Sequence, residues 1–232
     1  MAINQKLTIS VLNVNQPDYG KLSLPLIRRY CVKHGYRLNV INNEGYNPSE
    51  QHPSWLKLLV GTSQPLADFV LFWDLDLIPT PDCGPIDKFM DFSKINLCLD
   101  HGHILRGSPP TNHAVYKHFR YNLGLVGIPR SAFDSLEKIY FDKTPSGLPS
   151  YDQYHVNQWI GDNNIPVHEL PMGFNFFFKP PSKVPQEMKD RHFKVVQSAI
   201  KNRSFSDLGI YNLHFSGVRD RVKTIIQTCG VW

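Results

Sequence analysis

Residues 69–79 read FVLFWDLDLIP, an apolar run interrupted only by Asp74 and Asp76. Aspartate is depleted in strands, and burying an unpaired carboxylate costs several kcal/mol, about the whole stability margin of a domain. The run therefore predicts a buried strand from Phe69 to Asp74 with a charged tip that something must compensate. On an extended chain, residues i and i+2 point to one side, so Asp74 and Asp76 converge while Leu75 turns to the core. A hard divalent cation is the natural compensation. Mg²⁺ or Mn²⁺ takes one or two carboxylates and leaves its other positions to water and phosphate oxygens, so such a pair would also hold a diphosphate. Open α/β sheets gather ligands at the carboxyl ends of their strands, where this pair sits.

The flanking sequence supplies the rest of such a sheet. Leu7 to Val14 is apolar and β-branched and reads as a first buried strand. Lys21 to Lys33 carries apolar residues at helical spacing and ends before Gly35, and Tyr36 to Ile41 is a second strand. The alternation continues with a helix near Pro53 to Val60, strands at Phe69–Asp74 and around Ile95–Leu99, and a strand over Tyr121–Ile128. A helix with Ser131 as N-cap follows, then another from Tyr151 to Ile160 and a late strand at Val167–Leu170. Pro171, Pro180, Pro181 and Pro185 mark an irregular stretch before an amphipathic helix near His192–Lys201 and a short strand in YNLHFSG. The fold class is α/β, with a mixed, mostly parallel central sheet flanked by helices.

The 232 residues fit a single domain spanning 1–232. With 41% hydrophobic and 19% charged residues, the chain is a folded protein rather than a disordered one. A formal charge of +5 favours anionic partners without choosing among nucleic acid, membranes and phosphorylated ligands. Cys31, Cys83, Cys98 and Cys229 are far apart and give neither a zinc knuckle nor a dense disulfide framework. The opening MAINQKLTISVLNVN lacks a signal-peptide core, and no 18 apolar residues run uninterrupted, which reads as a cytoplasmic protein without a transmembrane segment.

YCVKHGY (30–36), HPSWLKL (52–58), FWDLDLIP (72–79), YNLGLVGIPR (121–130), YDQYHVNQWI (151–160) and LHFSG (213–217) occur in an order that resembles the GT-A glycosyltransferases. The likeness is greatest to their retaining families, which include the glycogenin-like, galactosyl- and xyloglucan xylosyltransferases. It implies a GT-A, Rossmann-like domain with a nucleotide-binding half over about residues 1–100 and an acceptor-binding half over about 101–232. It also implies metal-dependent transfer of a sugar from a nucleotide sugar, UDP-linked by resemblance, to a glycan or other hydroxyl acceptor.

The resemblance carries roles residue by residue. Asp74 and Asp76 match the D-x-D positions, and His214 matches a histidine that completes the metal site. A nitrogen ligand tilts the choice from Mg²⁺ toward Mn²⁺. Asp152 and Gln153 match a D-Q pair beside the reacting carbon and are the catalytic candidates, and Asn122 matches a donor-sugar position. Asn13, Asn15 and Tyr19 sit where relatives bind base and ribose; Trp55 and Lys57 lie in a stretch that helps close that pocket, and Asp100 is placed to reach a sugar hydroxyl. Gly217, Arg219 and Lys223 would meet the β-phosphate, although Val218 and Arg219 stand where the family pattern often has a lysine.

The same residues also admit other readings. An inverting enzyme would use Asp152 as general base. A nucleotidyltransferase would need a Gly-rich loop after the first strand, which the chain lacks. A basic nucleic-acid-binding protein would use the Lys and Arg groups of the last third, but no module signature accompanies them and nucleic acid is not the expected partner. His101 and His103 without nearby cysteines make a poor zinc site. Replacing either Asp74 or Asp76 with Ala is expected to abolish metal-dependent activity and leave the fold largely intact.

Overall fold

The strands form where β-branched and aromatic residues alternate between two faces. In Phe69–Trp73, the residues Phe69, Leu71 and Trp73 enter one buried cluster while Val70 and Phe72 enter another. The computed structural model describes residues 7–14, 18–42, 52–100, 120–143, 151–178, 185–202 and 204–215. In chain order its strands are β1 (Thr8–Leu12), β2 (Arg37–Ile41), β3 (Phe69–Trp73), β4 (Leu77–Pro79), β5 (Ile95–Leu99), β6 (Tyr121–Pro129), β7 (Val167–Leu170), β8 (Phe176–Phe177) and β9 (Asn212–His214). The helices are α1 (Asp18–His34), α2 (Val60–Ser63), α3 (Phe133–Asp142), α4 (Tyr151–Asp162) and α5 (Gln186–Asn202).

Six strands make the main sheet in the order β2-β1-β3-β6-β5-β7, and β4-β9-β8 make a smaller one. β1 runs parallel to β2 and β3, and β5 runs parallel to β7. β6 alone is antiparallel to its neighbours, so the sheet is mixed and mostly parallel. One face packs Ile27, Tyr30 and Cys31 of α1 against Ile9, Val11, Leu71 and Leu125. The other packs α3 and α4, through Leu136, Ile139, Val156 and Ile160, with Trp55 and Leu58. A third cluster ties Leu26 of α1 and Val196 and Ala199 of α5 to Ile78 and Leu213 of the small sheet.

Most predicted elements are present, with differences that have local causes. Gly35 ends α1 at φ +72°, a left-handed conformation that glycine adopts without penalty. The helix expected near Pro53–Val60 is a 3₁₀ turn over Pro53–Leu58 followed by the four-residue α2. Ser131 is not an N-cap, because a 3₁₀ turn over Arg130–Ala132 leads into α3 and no side chain caps it. The stretch after Pro171 read as irregular contains a 3₁₀ turn, Met172–Asn175, and then β8. α5 begins six residues before the expected start at His192. Among the described residues no helix is long and apolar enough to cross a membrane.

Candidate functional site

The main sheet collects polar residues at one edge. β1, β3 and β5 end there and antiparallel β6 begins there, as the pairs Ser10↔Phe72, Trp73↔Leu125 and Cys98↔Asn122 require. Asp74 and Asp76 follow β3 on a tight turn rather than an extended chain: the Leu77 N–H donates to Asp74 O at 3.0 Å. The Trp73 indole closes the same turn through Nε1–H to Leu77 O at 2.6 Å. The Asp74 N–H donates to Gly124 O at 2.8 Å, and Asp76 O accepts from the Phe215 N–H at 2.8 Å. The turn is pinned to β6 on one side and to the end of β9 on the other, while Leu75 is buried in the core as expected.

This turn sends the two carboxylates to different partners. Asp74 Oδ1 lies 2.6 Å from Lys57 Nζ, with the two side chains 31% and 4% exposed. Lys57 also donates to Leu123 O at 2.7 Å. Lys57 is the buried counter-ion of Asp74. Its burial would lower its pKa, but the Asp74 carboxylate, with Asp152 and Asp76 beyond it, holds the ammonium above the usual lysine range. Desolvation raises Asp74 above the usual carboxylate range in spite of Lys57, and Asp76 adds to the rise. Three carboxylates share the field of one ammonium, so the site is short of positive charge.

Asp76 is 3% exposed and faces His214, whose Nε2 stands 3.4 Å from Asp76 Oδ1. The His214 Nδ1 is 2.7 Å from Asn175 Oδ1, and the ring lies 4.6 Å from that of Phe177. A Cβ at Gly124 would fall 3.0 Å from His214 Cε1 and 2.9 Å from Asn122 Oδ1, so the missing side chain makes room for both. Asn122 is buried, and its Oδ1 accepts from the Gly124 N–H at 2.7 Å.

The donor set fits a divalent cation. Two carboxylates and an imidazole are suitable ligands, and the field calls for added positive charge. Two ligand atoms each about 2.1 Å from one ion lie roughly 3.0–3.5 Å apart, which spans the Asp76–His214 separation. As the side chains are placed, no group of three His, Cys, Asp or Glu converges on one point among the described residues, because Asp74 is turned to Lys57.

Asp152 and Gln153 enter from the first turn of α4. Asp152 Oδ1 accepts from Ser54 Oγ–H at 2.8 Å, and Gln153 Oε1 accepts from the Leu123 N–H at 3.4 Å. Asn157, one turn on, clamps β6: its Oδ1 accepts from the Tyr121 N–H and its Nδ2 donates to Tyr121 O. Asn13 and Asp100 lie farther along the edge. Asn13 donates to Asn42 Oδ1 at 3.4 Å, and the Asp100 N–H bonds to Arg120 O. Tyr19 packs against the core from α1, and Trp55 is fully buried. Asn15, Gly217, Arg219, Lys223, His101 and His103 lie outside the described residues.

Gly124, Ser54, Asn157 and Asn175 were not among the sequence candidates. Gly124 carried a signal, a glycine inside an otherwise strand-like run, which marks close approach. Asn175 carried none, because it sits in a proline-flanked stretch that reads as loop.

No family model matches the chain, and no curated protein matches it. Solved structures do. A glycosyltransferase involved in glycosylation of the major capsid of PBCV-1 is 18% identical with a TM-score of 0.57, over 94% of this chain and 98% of the other. The galactosyltransferase LgtC, solved with donor and acceptor sugar analogs, is 12% identical with a TM-score of 0.55, over 97% and 95%. The bifunctional glycosyltransferase WbbM is 11% identical with a TM-score of 0.59 over 99% of this chain, which spans 50% of that longer protein. The mixed sheet, its helical layers and these likenesses together give the chain the fold of the GT-A glycosyltransferases.

Proposed function

We propose that the chain is a metal-dependent glycosyltransferase that moves a sugar from a nucleoside-diphosphate sugar, UDP-linked in the first instance, to a hydroxyl of a glycan or glycoconjugate, with retention at the anomeric carbon. The observation that carries this reading is the approach of Asp76 and His214 to 3.4 Å beside Asp74, at the strand ends of a GT-A sheet. Asp74, Asp76 and His214 would hold Mn²⁺ or Mg²⁺. Such an ion supplies Lewis-acid stabilisation of the charge that gathers on the departing diphosphate.

The chain's own residues would do the rest. Lys57 pairs with Asp74 and limits the negative charge facing the donor phosphates. Asn122 offers an amide at the start of β6 to the sugar hydroxyls. Asp152 and Gln153, held by Ser54 and the Leu123 N–H, border the position expected for the reacting carbon. Asp152 is 2% exposed and one of its oxygens is already bonded to Ser54, which suits orientation of substrate better than general-base work on an acceptor. The leaving diphosphate then takes the acceptor proton, as retention allows. Gly217, Arg219 and Lys223 remain candidates for the β-phosphate, and Asn13, Asn15, Tyr19 and Asp100 for the nucleoside and sugar.

A thermal-shift screen of nucleotide sugars with and without Mn²⁺ tests the donor, and NMR of the product's anomeric proton tests the stereochemistry. Stabilisation by UDP that requires Mn²⁺ is the expected result. Salt-sensitive retention on DNA with no response to UDP and Mn²⁺ overturns it.

A further inference from the structure

We propose that Asn175 is a positioning residue: its side-chain carbonyl holds His214 as the Nδ1–H tautomer and so presents the Nε2 lone pair beside Asp76. This inference rests on the metal-dependent reading above for its purpose, but on separate geometry for its content. Asn175 Oδ1 and His214 Nδ1 are 2.7 Å apart, and both residues are buried. A carbonyl oxygen accepts and cannot donate, so the shared proton belongs to Nδ1. A neutral imidazole then has an unprotonated Nε2. Nε2 and Asp76 Oδ1 stand 3.4 Å apart, beyond the usual 2.7–3.2 Å of an N–H···O bond, so no hydrogen bond to Asp76 calls for a proton on Nε2. The other end of the amide, Nδ2, is enclosed without a hydrogen-bond partner among the described residues; turning the amide over would aim Nδ2–H at the ring and give the opposite tautomer, which is the outcome that overturns the proposal.

The fold holds Asn175 firmly. It ends the 3₁₀ turn Met172–Asn175, in which the Phe174 N–H returns to Pro171 O at 3.0 Å. The turn is tied to the segment entering β9 through the Tyr211 N–H to Gly173 O at 2.9 Å and Asn212 Nδ2–H to Phe174 O at 2.8 Å. His214 sits at the end of that same strand, between Leu77 and Phe177 in register. The amide and the ring are therefore carried by two segments that are bonded to each other. Hydrogen bonding of the distal ring nitrogen fixes the tautomer and raises the basicity of a ligating imidazole.

Nitrogen-15 NMR of the metal-free wild-type protein at pH 8, where an ordinary imidazole is neutral, reads the tautomer directly. The expected pattern is a pyrrole-like Nδ1 and a pyridine-like Nε2 for His214; the opposite pattern overturns the proposal. Mn²⁺ affinity, measured by electron paramagnetic resonance of the free ion without nucleotide, should fall about 10- to 100-fold in Asn175→Ala. Asn175→Asp keeps the acceptor and should retain most of that affinity. An unchanged affinity in Asn175→Ala, with the wild-type tautomer intact, also overturns the proposal. A wild-type protein that binds no Mn²⁺ defeats the metal-dependent reading instead, and the tautomer spectrum still decides what Asn175 does.

Discussion

Lys57 and Asp74 form a close ion pair in the site, and Lys57→Met is the perturbation that measures it. The substitution keeps the length of the side chain and removes the ammonium. Asp74 then loses a contact of 2.6 Å, and Leu123 O loses its donor at 2.7 Å. Breaking a fully buried ion pair by removing one partner costs about 3–5 kcal/mol. Asp74 is 31% exposed, so water recovers part of that loss and the expected cost is about 2–4 kcal/mol. For a chain of this size that corresponds to a fall in Tm of roughly 5–12 °C. Asp74→Asn in the same background leaves a neutral amide where the uncompensated carboxylate stood. The double variant should therefore be less destabilised than the sum of its two single changes.

Urea unfolding at pH 7 of wild type, both single variants and the double variant gives the coupling directly. Lys21→Met is the surface control: the Lys21–Asp18 pair is 68% and 97% exposed, and its loss should not move the midpoint. A Lys57→Met midpoint no lower than that control, or strictly additive effects of the two changes, would refute the claim that the ammonium compensates a carboxylate in the site. The same pairing alters one sequence expectation. Asp76→Ala removes a ligand candidate that faces His214, whereas Asp74→Ala also strands a buried ammonium, so Asp74→Ala is expected to cost the more stability through that ammonium.

Gly173→Ala should be close to unfoldable, because its Cβ would fall 1.6 Å from Gly209 O, a backbone atom with no flexible end to give way; a soluble variant of wild-type Tm disproves the contact. Asn96→Ala removes an amide that accepts from the Asp91 N–H and donates to Asp91 O and Lys94 O, and should cost about 2–3 kcal/mol in urea unfolding. Asp82 supplies the pH dependence. Burial would raise its pKa, but the Ser206 N–H at 2.8 Å and its neighbours hold it below the usual carboxylate range. A depressed folded-state pKa contributes stability above the unfolded value near 4 and loses it as pH falls through the folded value, so the gap between wild type and Asp82→Ala should narrow below about pH 4. A gap that holds constant down to pH 2 contradicts that linkage.

The strands of the main sheet were readable because each is a short apolar run bounded by turn residues, and burial on both faces leaves few other conformations for such runs. β3, β5 and β6 fall within a residue or so of their predicted ends. The 3₁₀ turn at Pro53–Leu58 was harder, since Pro53, Trp55 and Leu58 satisfy a helical period for barely two turns and the packing of Trp55 decides what the chain does. The polar edge was readable only as single residues. Asp74 and Asp76 announce themselves by their cost in an apolar run, but Lys57 looks like any lysine and its partner is seventeen positions away. Which carboxylate meets which cation is a property of the turn after β3, set by the Trp73 indole and the Gly124 and Phe215 backbone, and no local pattern encodes it.

That turn also decides how the two aspartates divide their work. Were Asp74 and Asp76 on a straight strand, both would face one point and one ion would satisfy both. On the observed turn Asp74 points toward the face carrying Trp55, Leu58 and α4, where Lys57 waits, and Asp76 toward the small sheet, where His214 ends β9. An ion at the Asp76–His214 gap would draw Asp74 partly away from Lys57, so binding and the Lys57 pair compete for one carboxylate. Lys57→Met should then strengthen Mn²⁺ binding relative to wild type even as it weakens the fold, since it removes a competing cation. Calorimetric titration of Mn²⁺ into both proteins, below the Tm of the variant, separates the two effects. Weaker binding in Lys57→Met would mean that the ammonium orients Asp74 for the ion rather than competing with it.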